Sequence, residues 1–396
     1  MNLSRQLIKK HENRVDYGII LTVILLAIIG LVSVYATTAL IEGQDLRPTL
    51  FHALWYGVGA LAIIVVMQFN AEQYWRMAKY LYGFGLILLV LVLIFYDREV
   101  AFETGATSWF RLGPFSFQPS EVFKPAYILF QAQIITQHNN NVTKRTVRSD
   151  WQLLGKMALA ALPPVILIQL QNDLGTNLVV LAITAGMVLM SGISWKIILP
   201  AILLAVGIGG GLIFIMAEYP QILTNTGLVH DYQVARIHDW LDPFDNPQGT
   251  GYQLVQSLKA IGSGQLVGKG LGVSQVSVPV RESDFIFTTI AENFGFLGCA
   301  VLLFIYFLLI YQMVQTCFDT KSEFYTYIAT GVISMILFHI VENIGMNIGL
   351  LPITGVPLPF VSQGGSALLS NMIGVGLILS MTYHHNNYTF NGPRDF

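Results

Sequence analysis

Charge is the first thing this sequence lacks. Asp, Glu, Lys and Arg make up 11% of its 396 residues, where soluble domains carry about a quarter, so a wholly water-exposed globular surface is excluded. Neither sign dominates, with 21 basic against 23 acidic residues and a net charge of -2, and no nucleic-acid partner is expected. Cysteine is nearly absent. Cys299 inside an apolar run and Cys317 at its far end cannot form a disulfide framework, and both read as packing thiols. A cleavable signal is not expected either: Arg5, Lys9, Lys10 and Arg14 precede an apolar run too long for a signal core, with no small-residue cleavage site after it. No internal repeat is visible.

What is present is grease. Hydrophobic residues are 54% of the chain, mean hydropathy is +0.60, and apolar runs long enough to span a bilayer recur throughout. The expected fold class is an all-α polytopic membrane protein with ten transmembrane helices near 17–37, 51–68, 79–96, 119–136, 155–171, 174–192, 196–216, 285–315, 326–349 and 365–383. The fourth span is the least hydrophobic; without it there would be nine spans and the termini would lie on opposite sides. Inside segments then carry Arg5, Lys9, Lys10, Arg14, Arg76, Lys79, Lys144, Arg145, Arg148, Lys156, Lys196, Lys321 and Arg394, against seven basic residues outside. That excess has the sign of the positive-inside rule. Residues 1–396 therefore read as one membrane domain, with cytoplasmic ends at 1–16 and 384–396 and an extracytoplasmic loop at 217–284.

Polar residues in such a chain need a reason. Pro119 suits the first turn of the fourth span, and Glu121 in that turn shares a face with Lys124 at i+3. The pair reads as an interfacial cap with a snorkelling lysine or as the lining of a cavity. Trp109 beside Phe110 reads as an interface anchor. Asp173, in a tight turn between two spans, reads as a helix cap ahead of a catalyst. In the long loop, Leu254, Val255, Leu258 and Ile261 share one helical face, which suits a short helix lying in the interface.

Glycines at 262, 264, 268, 270 and 272 follow. Gly264-Gln-Leu-Val-Gly268-Lys269-Gly270 is no P-loop, being one residue short with no Ser or Thr after the lysine. The glycines read instead as a mobile strap whose backbone can approach a lipid headgroup. Arg281-Glu-Ser-Asp284 then meets an apolar run, and Asp284 serves equally as an N-cap or a catalyst at the water–lipid boundary. Glu292 and Asn293 lie deeper, where an ionisable group must face protein or a watery cavity. His339, Glu342, Asn343, Met346 and Asn347 form a polar stripe in the ninth span. His339 and Glu342 resemble half of a di-metal site that has no second half, so a hydrogen-bond network or cavity lining is the expectation. The Pro- and Gly-rich segment 351–366 reads as a broken or re-entrant turn.

Taken in order, Asp16-Tyr-Gly, Leu112-Gly-Pro-Phe-Ser-Phe-Gln-Pro-Ser-Glu121-Val-Phe-Lys124, Asp173-Leu-Gly-Thr176, Gly251-Tyr-Gln-Leu-Val-Gln-Ser-Leu-Lys-Ala-Ile-Gly-Ser-Gly264, Gly268-Lys-Gly-Leu-Gly272, Asp284-Phe-Ile-Phe and Gly355-Val-Pro-Leu-Pro-Phe-Val-Ser-Gln-Gly-Gly-Ser366 resemble the SEDS family (shape, elongation, division and sporulation), closest to its elongation branch. The chain departs from the family pattern at Asn172 (usually Pro), Glu282-Ser283 (His-Thr), Asn293 (Glu) and Gln363 (often Tyr).

The resemblance implies a peptidoglycan glycosyltransferase that polymerises lipid II, or polyprenyl-diphosphate-linked glycan, at the outer face of the cytoplasmic membrane. It also implies a class B penicillin-binding protein as transpeptidase partner, with elongation proteins such as MreC and MreD. The family's essential aspartate matches Asp284, and its Glu and Lys match Glu121 and Lys124. On that reading Asp284 is the general base, and Lys124 with Arg111 or Arg281 stabilises the departing diphosphate. Glu121 orients Lys124 or, with Asp284, holds a divalent Mg or Mn ion; no organic cofactor is implied. Trp109, Lys269 and Ser366 complete the expected substrate contacts. Two other classes compete: a flippase moving lipid-linked precursors along the polar stripe, and a noncatalytic scaffold for the transpeptidase.

Overall fold

A computed structural model describes residues 15–41, 45–113, 115–142, 144–224, 231–249, 251–320 and 322–388. Arg5, Lys9, Lys10, Arg14, Lys321 and Arg394, and most of both expected cytoplasmic ends, lie outside the described residues. The long helices are α1 (Tyr17–Tyr35, followed by a π turn Ala36–Ile41), α2 (Arg47–Met67), α3 (Ala71–Phe95), α5 (Pro119–Asn141), α6 (Val147–Leu170), α7 (Leu174–Met190), α8 (Trp195–Glu218), α12 (Ile286–Asp319), α13 (Glu323–Asn347) and α14 (Gly365–Tyr388). Between them lie α4 (Arg98–Thr104), a hairpin of β1 (Phe110–Leu112) and β2 (Phe115–Phe117), α9 (Pro220–Thr224), α10 (Asp231–Leu241) and α11 (Tyr252–Ser263).

Each of the ten expected spans has its helix. Eight helices among the described residues are long and apolar enough to cross a membrane. The two that miss that standard do so for different reasons. Helix α7 is apolar but has 17 residues, whereas α5 is long but polar. The polarity of α5 follows from its place: it packs against α3, α6, α7, α13 and α14, so protein rather than lipid surrounds it. A helix so enclosed can carry Lys124 and Gln131 at 0% exposure, provided that partners meet them. Helix α8 is the opposite case. It leaves Leu203, Leu204 and Val206 exposed and buries little, which suits a helix facing lipid.

Helix starts follow the local sequence. Asp16 caps α1 by accepting from the backbone N–H of Gly18 and Ile19, and Asn70 with Gln73 forms a capping box on α3. Asp173 caps α7 through Thr176, its backbone N–H at 3.0 Å and its hydroxyl at 2.8 Å. Asn172, just before it, sits at φ 59°, a left-handed conformation that asparagine tolerates.

Two expectations about the long loop change. The amphipathic helix α11 turns its apolar face to protein; Leu254 and Val255 are 1% exposed, and the helix packs on α12 and α13. The glycine strap is no loose tether. Helix α12 breaks at Gly295 (φ 63°, ψ -161°), and the strap docks into the break. Phe296 and Leu297 donate to the carbonyls of Gln265 and Leu266 at 2.8 and 3.0 Å, while Lys269 and Gly270 donate to those of Glu292 and Asn293 at 2.9 and 3.1 Å. A broken helix in an apolar setting must have its backbone satisfied by protein, and this segment does it. Glycine is needed because a Cβ on Gly264 would overlap the Ala291 carbonyl. Gly264 and Gly268 thus admit another backbone.

Candidate active site around Asp284

Asp284 has a pinned backbone and a nearly unpartnered carboxyl. Its carbonyl accepts from the side-chain amides of Asn343 at 2.8 Å and Asn347 at 3.1 Å. The two carbonyls before it are held by the 351–364 turn: Ser283 by the Ser362 hydroxyl at 2.6 Å, and Glu282 by the Gln363 backbone N–H at 3.0 Å. Among the described residues the carboxyl receives only the Ser283 hydroxyl, at 3.3 Å. It lies against Gly355, whose φ is 79°; a Cβ there would come within 3.3 Å of Oδ2.

The Asp284 side chain is half-buried. Burial pushes its pKa from 3.8 up to about 6, against the smaller opposing pulls of the Ser283 hydroxyl and the Arg236 guanidinium; Glu282 adds to the rise. A carboxylate held near the pH at which it must gain and lose a proton is suited to general base work.

Arg236 is the residue that sequence reasoning missed. It lies on α10 and donates to the Ile353 carbonyl at 2.9 Å, while Trp240, one turn on, donates to the Gly349 carbonyl at 3.1 Å. Both anchor α10 over the segment that meets Asp284. The available signal was the i,i+4 pairing of Arg and Trp on a short amphipathic helix in the long loop between α8 and α12.

The second centre is on α5. Lys124 Nζ lies 2.7 Å from Glu121 Oε2 and 3.1 Å from His339 Nε2, and all three residues are at most 4% exposed. Pro119 opens the helix, and Gln118 before it is held twice: its backbone N–H donates to the Ser366 hydroxyl at 3.0 Å and its side chain to Asp173 at 2.7 Å. Helix α13 joins the two centres. His339 meets Lys124, and Asn343, one turn on, meets Asp284 and also the Val356 carbonyl at 2.9 Å. Glu342, between them, accepts from the Thr354 hydroxyl at 2.9 Å.

The remaining candidates are placed elsewhere. Arg281 and Lys269 both turn to Glu292, at 2.5 and 2.9 Å. Arg281 is 1% exposed and also donates to Thr289, Ser274 and the Val276 carbonyl. Their charge is absorbed by the acid that needs it, so neither points to Asp284. Arg111, in the exposed hairpin, pairs with Glu99 and lies 3.8 Å from Asp97. Trp109 accepts from the Asp97 backbone N–H at 2.8 Å through its own carbonyl. Ser366 serves the entry of α5. Among the described residues no three His, Cys, Asp or Glu side chains gather to hold a metal, and Glu121 is engaged by Lys124 rather than joined to Asp284. The chain's own side chains therefore do not fit a ready-made Mg or Mn site.

A many-helix, multi-pass membrane chain with this acid–lysine arrangement can now be set beside known proteins. The family model for FtsW, RodA and SpoVE, described as cell cycle protein, matches residues 17–387. The chain belongs to that family, the SEDS proteins. Peptidoglycan glycosyltransferase MrdB of Escherichia coli is 35% identical over 347 residues, which is 87% of this chain and 88% of that one. Among solved structures, a chain from a peptidoglycan synthase complex that coordinates polymerization and crosslinking superposes with a TM-score of 0.76 at 27% identity, covering 94% of this chain and 98% of that one. The rod shape-determining protein RodA of Thermus thermophilus gives 0.65 at 27% identity, covering 93% and 96%.

Proposed function

We propose that this protein is a peptidoglycan glycosyltransferase that polymerises lipid II, with Asp284 as the general base. The observation that carries this reading is a carboxyl on an immobilised backbone with almost nothing bonded to it. A carboxyl with so few protein partners on a fixed backbone has its oxygens available to a ligand.

In the reaction, Asp284 takes the proton of the acceptor 4-hydroxyl as that oxygen attacks the anomeric carbon of the donor. The bond to the polyprenyl diphosphate breaks, and the electron pair leaves with the diphosphate. One base with no covalent nucleophile inverts the sugar carbon. Lys124 and Arg236 supply the positive charge that meets the leaving diphosphate, and Glu121 holds Lys124. A divalent cation would arrive with the diphosphate, and no step is assigned to it.

The same reading puts ten crossings in the bacterial cytoplasmic membrane, both termini in the cytoplasm, and residues 217–284 with the site outside. It gives the enzyme a role in cell elongation, a class B penicillin-binding protein as partner, and MreC and MreD as further associates. Purified full-length protein in detergent, incubated with lipid II, should form glycan polymer, and Asp284→Ala should form none. Protein that is inert in detergent but moves lipid II across vesicles is the flippase outcome. Wild-type wall growth with Asp284→Ala is the scaffold outcome.

A further inference from the structure

We infer that His339 is a positioning residue for Lys124, so that α13 sets the place of the leaving-group cation as well as that of the base. This rests on the proposed glycosyl transfer. His339 Nδ1 lies 2.7 Å from the Met335 carbonyl, one turn back on its own helix. A carbonyl only accepts, so Nδ1 carries the hydrogen and Nε2 presents a lone pair. That lone pair faces Lys124 Nζ at 3.1 Å. The ring is neutral and cannot turn without losing the bond to Met335.

The two partners of Lys124 do different things. Glu121, at 2.7 Å, balances the ammonium's charge, and with Glu121 alone the lysine would collapse onto a carboxylate and lose its value to an anion. His339 accepts a hydrogen bond without cancelling charge, and so fixes direction at no electrostatic loss. An ammonium has three N–H groups; His339 takes one, and the Glu121 oxygen pairs with the charge without a well-formed hydrogen bond. That leaves donor capacity on Lys124 for a phosphate oxygen. Four residues along α13, about 6 Å at helical rise, Asn343 holds the Asp284 carbonyl. One rigid helix therefore spaces the proton acceptor and the cation at the two ends of the same displacement.

The test compares three variants of the full-length protein, alone and with its transpeptidase partner, by lipid II polymerisation and by melting temperature in detergent. His339→Gln keeps an acceptor near Nε2. His339→Asn keeps only the Met335 side of the ring, and His339→Leu keeps neither. Misaiming a catalytic group by about 1 Å costs ~100-fold, so kcat should fall ~100-fold in His339→Asn and His339→Leu. In both, KM should stay within ~3-fold, and His339→Gln should recover to within ~5-fold of wild type. Equal losses in Gln and Asn at matched melting temperature, or a rise in KM with kcat unchanged, would overturn the assignment. An active wild type with fully active His339→Leu removes this inference alone. A wild type unable to polymerise lipid II, with or without the partner, removes the proposed function and this inference with it.

Discussion

Two groups of charged side chains, one around Glu292 and one made of Asp284 with the Glu121–Lys124 pair, differ in how completely they are satisfied. In the first, Glu292 has both oxygens doubly engaged, by Lys269 and the Gln275 N–H on one and by Arg281 and Ser274 on the other. Arg281 in turn spends its guanidinium on Thr289, Ser274, Val276 and Glu292. In the second, Glu121 Oε2 has its ion pair but no well-formed hydrogen bond, Lys124 has two partners for three donors, and the Asp284 carboxyl has one long contact. A closed network holds structure together, since each of its members would cost several kcal/mol if left alone. An open one has room for a ligand. Burial by itself does not separate them; saturation does.

The sharpest way to break this comparison is to substitute one member of each group. Asp284→Asn should lower lipid II polymerisation by ~10³-fold, within the span assigned to a lost general base, while the variant's melting temperature stays at or above wild type near neutral pH. The sign follows from the raised carboxyl: ionising it costs folding stability above about pH 6, a cost absent below its ordinary value of 3.8 and absent in an amide. Next, Lys124→Met should lower kcat by ~10²- to 10³-fold through loss of charge stabilisation, measured as rate per folded molecule. Glu292→Gln should show the reverse pattern. It strands two cations and should destabilise by ~3–5 kcal/mol, seen as lost expression and melting temperature, while the surviving folded protein keeps near-normal kcat. Smallest of all, Arg111→Ala should change polymerisation by no more than ~2-fold, because its exposed pair with Glu99 is of the kind that contributes little. A large loss there would move the diphosphate site to the hairpin.

Much of this was legible in the residues. Ten apolar or half-apolar runs located ten helices, because long apolar runs report burial in lipid or in a helical core. The polar stripe on α13 stood out because His339, Asn343 and Asn347 recur every fourth residue in an apolar span. Asp173 as a cap, and the refusal of a phosphate loop at Lys269, followed from local chemistry alone. Three things were not legible. The docking of the glycine strap into α12 is backbone pairing over some 25 residues, and it leaves no side-chain pattern beyond the glycines. Arg281 stands three residues from Asp284 in sequence, yet its side chain runs toward Glu292, two turns inside α12; adjacency in the chain does not fix direction in space. Arg236 reaches the site only through the fold of the long loop, across nearly fifty residues from the aspartate it faces.

The most direct measurement is the pH dependence of lipid II polymerisation by the full-length protein between pH 4 and 8. The base must be ionised to act, and burial has moved it from 3.8 to about 6, so kcat/KM should fall tenfold per pH unit below about 6 and level off above it. A profile flat down to pH 4.5, or an Asp284→Asn variant that keeps the wild-type rate, would contradict the assignment of Asp284 as the base.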